Sequence, residues 1–200
     1  MSKQSQSGFT LVELAISLVI IGLVLGMTFK GRELIDGAKV KSVQAQYGKV
    51  SAALNIFFER YGRYPGDGCP SNDTTAFTAC TNTPDGILST TAEQTSFWSL
   101  LNTSNTLPLS EKKNSIGDAW QVISGNGIHA AMQAVFPPTW TFLYSPAVDS
   151  RMLCQLERQI DDMNPSTGII RSDATVYSSA TQDCWALTPQ PSKIALKLLP

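Results

Sequence analysis

Phe9-Thr10-Leu11-Val12-Glu13-Leu14-Ala15-Ile16-Ser17-Leu18-Val19-Ile20-Ile21-Gly22-Leu23-Val24-Leu25-Gly26-Met27-Thr28-Phe29 is the stretch that decides the fold. Fifteen of its 21 residues are apolar, and Glu13 is its one ionisable side chain. A run of about 20 mainly apolar residues is long enough to cross a hydrocarbon core, whereas the apolar region of a cleaved secretory signal is shorter, at about 7–15 residues. No small-residue A-x-A site comes after Phe29, where the chain continues Lys30-Gly31-Arg32-Glu33. The stretch therefore reads as a spanning helix that stays attached to the rest of the chain.

Glu13 is the anomaly in that reading. A carboxylate inside a bilayer is expensive and usually has a partner. The same run offers no opposite charge. Either the side chain snorkels to the headgroups, or another chain supplies the partner. The residues upstream decide between the two: Met1-Ser2-Lys3-Gln4-Ser5-Gln6-Ser7-Gly8 is short and polar, carries one Lys, and ends in Gly directly before Phe9.

A polar leader, a Gly boundary, then Phe9-Thr10-Leu11-Val12-Glu13 and an unbroken apolar run together resemble the type IV prepilins and type II secretion pseudopilins. The resemblance covers the leader and the apolar run. It implies that a membrane prepilin peptidase cuts between Gly8 and Phe9 and that Phe9 becomes the N-methylated first residue. Cleavage would create an α-amine, ordinarily with a pKa of about 7.7–8.0, at the membrane depth of Glu13. The amine of one subunit then pairs with Glu13 of a neighbour, and in low dielectric a stagger that strands either charge is penalised. Phe9 and Glu13 are thus the expected assembly residues, with Glu13 setting register and no catalytic residue expected.

Charge alone places the body differently. Lys3 precedes the span, while Lys30, Arg32, Lys39 and Lys41 come after it, and the positive-inside rule would hold the body in the cytoplasm. The prepilin resemblance and the cysteines reverse this: the expectation is a single-pass protein of the bacterial inner membrane with its C-terminal body in the periplasm, assembled into a pilus or pseudopilus.

Beyond the span, Val40, Val43, Tyr47, Val50, Leu54, Phe57 or Phe58, and Tyr61 recur at the three-and-four spacing of one helix face, with Lys39, Lys41, Gln44, Gln46, Lys49, Glu59 and Arg60 largely elsewhere. A continuous helix from Phe9 to Tyr61 would be roughly 80 Å long at about 1.5 Å per residue. Gly22-x-x-x-Gly26 permits close helix approach, although the ordinary glycine content of membrane helices accounts for it equally well. Many major pilins carry a kinking proline in this stretch; here none precedes Pro65. Tyr64-Pro65-Gly66-Asp67-Gly68 ends the helix. The domain organisation reads as residues 1–8 leader, 9–29 transmembrane and assembly helix, 30–64 amphipathic continuation, and 65–200 globular periplasmic domain.

The body reads as α+β: a long N-terminal helix, membrane-spanning in its first half, packed on a small antiparallel sheet, as the pilin resemblance also implies. Residues 66–115 hold 17 Ser or Thr and 7 charged residues, a composition of turns between short elements. A helix is expected near Ala92 to Leu101, with Phe97, Leu100 and Leu101 inward. Met152, Leu153, Leu156, Ile160 and Met163 predict another, ending before Pro165. Strands are expected at Ala119 to Ser124, Thr139 to Ser145, Gly168 to Arg171, Ala174 to Tyr177 and Cys184 to Leu187.

Cys69, Cys80, Cys154 and Cys184 contain no C-x-x-C pair, and His129 is the one histidine, so the set does not resemble a structural zinc site. An even count behind a membrane anchor suits disulfides in an oxidising compartment. Of the three possible connectivities, Cys69–Cys80 with Cys154–Cys184 is favoured because each closes a local loop, the second pinning the C-terminal region where pilin-like proteins often carry a disulfide. Free buried thiols are the alternative.

Little in the sequence resembles catalysis. His129 has no nucleophile context, there is no phosphate-binding or dinucleotide fingerprint, and Gly125-Asn126-Gly127 reads as a turn. No cofactor is expected. Asp161-Asp162 ahead of Asn164-Pro165-Ser166-Thr167-Gly168 resembles an acidic turn of pilin-like proteins, some of which bind calcium in C-terminal loops. Two carboxylates supply few of the six to eight oxygens calcium takes, so a solvated turn is preferred and no metal is expected, with Asp161 and Asp162 the calcium candidates. A net charge of -1 and a mean hydropathy of -0.03 hide the apolar head and argue against a nucleic-acid partner, which would need a basic surplus. The function expected is a structural, non-enzymatic subunit of a type IV pilus or type II secretion pseudopilus; the alternative is a minor, tip or initiating subunit involved in DNA uptake or adhesion. Its expected partners are prepilin peptidase, other pilin or pseudopilin subunits, an inner-membrane assembly platform and the membrane.

Overall fold

The computed structural model describes residues 9–132, 136–174, 177 and 181–199. The leader with Gly8, and the middle of the strand expected over Ala174 to Tyr177, lie outside the described residues. The chain divides into two compact units, Met1–Ala38 and Lys39–Pro200.

One helix, α1 (Leu11–Tyr61, 51 residues), provides the first unit and enters the second. In the first unit its side chains from Leu11 to Thr28 are all exposed. Leu and Ala favour the helix, while Ile and Val are tolerated because their single helical rotamer points outward without a packing conflict. The hydroxyls of Ser17 and Thr28 donate back to the carbonyls of Glu13 and Val24, each at 2.8 Å. Polar side chains inside the run are thereby satisfied by the helix itself, as a hydrocarbon surrounding requires.

In the second unit, α1 lays Val40, Val43, Val50, Leu54 and Phe57 into the core. Phe57 is the buried member of the Phe57/Phe58 pair, and Phe58 stays 43% exposed. Gln46 corrects the expected polar face, because it lies on the buried side at 8% exposure. It is accommodated by two hydrogen bonds: its amide donates to the Lys113 carbonyl at 2.7 Å, and its oxygen accepts from the Trp120 indole at 3.2 Å. A buried amide so paired is tolerated where an unpaired one would not be.

The sheet contains β1 (Gln121–Ser124), β2 (Thr141–Asp149), β3 (Ile170–Ser172) and β4 (Pro191–Leu199), in the order β1-β2-β4-β3 with every neighbour antiparallel. The arrangement is α+β, with a long N-terminal helix on a small antiparallel sheet. The Tyr47 hydroxyl donates to the Lys197 carbonyl on β4 at 2.6 Å, fixing α1 to the sheet. Alternate residues of β2 face opposite ways: Leu143 joins the core with Val43, Trp120, Leu153 and Leu196, whereas Phe142 and Tyr144 join a second cluster with Ile128, Met132 and Phe136.

Two further helices stand where the periodicity places them, α2 (Thr91–Thr103) and, fourth in chain order, α4 (Ser150–Ile160). A capping box between Thr90 and Glu93 opens α2. Between them lies α3 (Gly125–Met132), which corrects the reading of Gly125-Asn126-Gly127 as a turn. Glycine is needed at its start because a Cβ on Gly125 would sit 2.0 Å from the Pro137 carbonyl oxygen. Residues 184–186 form a 3-10 turn and not the expected strand. The Asp183 carboxylate accepts from the Trp185 amide and initiates that turn, while Cys184 is tied to α4. Strand β4 had no counterpart in the expected elements. Its Lys, Ala and Leu are not strand formers by preference, and pairing on both sides overrides that preference.

Candidate functional site

Phe9 stands at the head of α1 and is 85% exposed. The Thr10 amide donates to Glu13 Oε2 at 2.8 Å and the Thr10 hydroxyl to the same oxygen at 2.9 Å. The Glu13 amide returns a 3.3 Å bond to the Thr10 hydroxyl. Thr10-Leu11-Val12-Glu13 is thus a capping box, satisfying donors that the first helical turn would otherwise leave bare. Glu13 has hydrogen-bond donors within its own helix, which counting charges alone overlooks although Thr10 stands at the capping spacing. The helix offers it no countercharge within the run.

Gly22, Gly26, Gly31 and Gly37 have nothing within 4 Å of where a Cβ would stand. Glycine in a helix costs roughly 1 kcal/mol relative to Ala, and among the described residues no close contact accounts for these four.

In the second unit, Cys69 is bonded to Cys80 and Cys154 to Cys184. The first bond lies beside Asp67, whose two carboxylate oxygens accept from the amides of Asp85 and Gly86 at 3.1 and 3.0 Å. Burial raises the Asp67 carboxyl above the usual carboxylate range, partly offset by those two amides. The second bond joins α4 to the 3-10 turn at residues 184–186. His129 lies in α3, and its side chain lies outside the described residues.

The acidic turn gains a member that the sequence reading missed. Glu157, one helical turn before Asp161, is fully buried. Its carboxylate and those of Asp161 and Asp162 approach one another within 4.8 Å. The Tyr177 hydroxyl donates to Glu157 Oε1 at 3.3 Å and pairs with the Ser172 hydroxyl at 2.8 Å. Among the described residues, Glu157 Oε2 is buried without a hydrogen-bond partner. Burial, then the charge of Asp161, pushes the Glu157 carboxyl up to about 8. Asp162 accepts from the Asn164 amide at 2.9 Å and from the Thr167 hydroxyl, which holds its carboxyl below the usual range, the Thr167 bond contributing most. Asp161 accepts from the Ile170 amide. Gly168 adopts φ 75°, and a Cβ there would stand 2.0 Å from Asp161 Oδ1, so only glycine leaves the carboxylate its place. The available signal was the face Leu153, Leu156, Glu157, Ile160, in which a glutamate takes a core position.

Residues 3–29 match the family model for the prokaryotic N-terminal methylation motif, the signature of type IV prepilins and pseudopilins. No curated protein and no solved structure matches the chain. The motif together with an apolar helix long enough to cross a membrane marks a membrane-anchored, pilin-like subunit in general terms.

Proposed function

We propose that the chain is a structural, non-enzymatic subunit of a type IV pilus or type II secretion pseudopilus. Prepilin peptidase cuts it between Gly8 and Phe9 and methylates Phe9. It waits in the inner membrane as a single-pass protein, with residues 65–200 as its periplasmic domain. One observation carries the reading: behind the methylation motif, the apolar side chains of α1 from Leu11 to Met27 are exposed on every side of the helix. Such a surface is stable in lipid or against other apolar helices and nowhere in between.

Polymerisation is then an exchange of lipid for neighbouring helices. Four glycines with open space around them let such helices come close. Glu13, already held by Thr10, meets the methylated amine of the next subunit's Phe9 and sets the stagger. An inner-membrane assembly platform supplies the work, since the sequence carries no nucleotide-binding motif. Copy number tests the reading. Sheared surface fibres, or fibres induced by overexpression of the assembly system, should contain the chain as a repeating component; a chain confined to the membrane fraction under both conditions would refute it. A few copies per fibre would instead indicate a tip or initiating subunit.

A further inference from the structure

We propose that Lys41, Lys112 and Lys113 form a docking surface for the anionic phospholipid headgroups of the membrane. The proposal rests on the membrane-anchored reading above and adds to it a contact between the body and the lipid surface. Within Lys39–Pro200, α1 and the segment ahead of β1 run side by side in opposite directions. The Ser115 hydroxyl donates to the Ser42 hydroxyl at 3.1 Å, the Gln46 amide to the Lys113 carbonyl at 2.7 Å, and Lys49 pairs with Glu111 at 2.8 Å. These ties gather Lys39, Lys41, Lys49, Lys112 and Lys113, with Glu111 the one carboxylate of residues 39–49 and 109–115. Elsewhere the body carries 7 basic and 12 acidic side chains, so its charge is divided. Asp118, the next carboxylate along the chain, comes where the segment turns to β2, its amide donating to the Ala147 carbonyl at 3.1 Å. Glu111 is spent on Lys49, and Lys39 lies within electrostatic range of Asp149. Lys41, Lys112 and Lys113 are exposed, and among the described residues their ammonium groups have no ion-pair or hydrogen-bond partner.

Two observations select a lipid surface over a soluble acidic partner. Leu109 is 49% exposed and opens the 3-10 turn Leu109–Lys112, in which side chains three apart eclipse, so an apolar residue and Lys112 share one side of the turn. An apolar side chain beside unpaired lysines suits the boundary between headgroups and acyl chains. The second observation is reach. Lys41 follows Phe29, the end of the apolar run, by 12 residues, about 18 Å of helix at about 1.5 Å per residue. An anionic surface attracts lysines over about one Debye length, about 8 Å at physiological salt. The long lysine stems close part of the difference, and bending closes the rest: Gly31 and Gly37 lie in the intervening stretch with open space where a Cβ would stand. The basic residues after the span, which charge counting alone reads as a signal to stay in the cytoplasm, thereby gain a role on the side where the body lies. They hold the waiting subunit against lipid, and polymerisation lifts them off it.

Lysine footprinting of the full chain in nanodiscs, one chain per disc, tests the contact. The discs hold phosphatidylcholine alone or equal parts of phosphatidylcholine and phosphatidylglycerol, and mass spectrometry reads the acetylation rate of each lysine. Phosphatidylglycerol should slow Lys41, Lys112 and Lys113 at least about threefold and leave Lys193 and Lys197, engaged with Asp173 and the Trp140 ring, unchanged. High salt should remove the difference. Lys112→Glu/Lys113→Glu alters exposed side chains and should return Lys41 to its rate in phosphatidylcholine. Equal rates for the three lysines in both lipids, a difference that survives high salt, or slowing shared equally by Lys193 and Lys197 would overturn the proposal. Protection absent at one chain per disc but present at several would assign the patch to a second copy of the chain and overturn it equally. A chain that does not enter the discs would contradict the anchoring itself and overturn both readings, an outcome distinct from lipid-independent rates in an inserted chain.

Discussion

Thr10 donates both its amide and its hydroxyl to one oxygen of Glu13, at 2.8 and 2.9 Å. The carboxylate is therefore positioned before any neighbour arrives, aligned with the start of α1 where the helix dipole also favours negative charge. A residue that needs an intermolecular partner yet is held by an intramolecular cap can be present in the free subunit without leaving its oxygens bare.

Glu13→Ala should leave the protein inserted and processed while fibre-associated chain falls more than about tenfold, the loss expected when a buried charge pair that selects one stagger is removed. Thr10→Val should act in the same direction and more weakly, since it removes the hydroxyl and leaves the amide. Immunoblots of sheared fibres against membrane fractions measure both. Normal fibre yield from Glu13→Ala would remove Glu13 from the assembly account.

The two disulfides close loops of different size, with sequence separations of 30 for Cys154–Cys184 and 11 for Cys69–Cys80. On chain entropy, opening the longer should cost about 3.5 kcal/mol and the shorter nearly 1 kcal/mol less. Thermal melts of the Cys154→Ser/Cys184→Ser and Cys69→Ser/Cys80→Ser pairs should rank in that order. Retention of all four alkylatable thiols in the folded wild-type protein would contradict both bonds.

Gln46 joins the Trp120 indole to the Lys113 carbonyl from inside the core. Gln46→Ala should destabilise the body by about 1–3 kcal/mol, because a buried donor and a buried acceptor both lose their partner. Gln44→Ala, on the exposed side of α1, should be close to neutral. Equal melting temperatures for the two variants would show that the Gln46 bonds contribute nothing.

Asp149 caps α4 by accepting from the Arg151 amide at 2.9 Å, and it pairs with the Arg151 guanidinium at 2.6 Å. That side-chain bond holds its carboxyl below the usual range. A carboxylate more acidic when folded adds stability that is fully present above its ordinary pKa and is lost as pH falls through the lowered one. Asp149→Ala should cost about 1 kcal/mol at neutral pH, and the gap from wild type should shrink in acid. A gap that stays constant from neutral to strongly acid conditions would contradict the charge's part in the cap.

The N-terminal helix is legible because its signals are local: the apolar run and the three-and-four stripe from Val40 to Phe57 lie within one helix, whereas the Thr10–Glu13 cap at its head stands at the capping spacing without being read from it. The helices α2 and α4 were legible for the same reason. Strand β4 was not, since Lys193, Ala195 and Lys197 become strand residues through pairing with β2 and β3, which sit far away in sequence. Gln46 takes a place in the buried stripe that its polarity does not signal, because position on the helix decides its face. Glu157 likewise holds a core position on α4 that its charge does not signal. The third carboxylate of the acidic turn is supplied by α4, which brings Glu157 within 4.8 Å of Asp161 and Asp162.

The most direct test is the N-terminal residue of the chain recovered from the native inner membrane, read by mass spectrometry of the N-terminal peptide. A peptide beginning at N-methylated Phe9 is the expected result. A peptide that still contains Met1 to Gly8 in cells with active prepilin peptidase, or one that begins beyond the apolar run, would contradict the assignment of this chain as a processed pilin-like subunit.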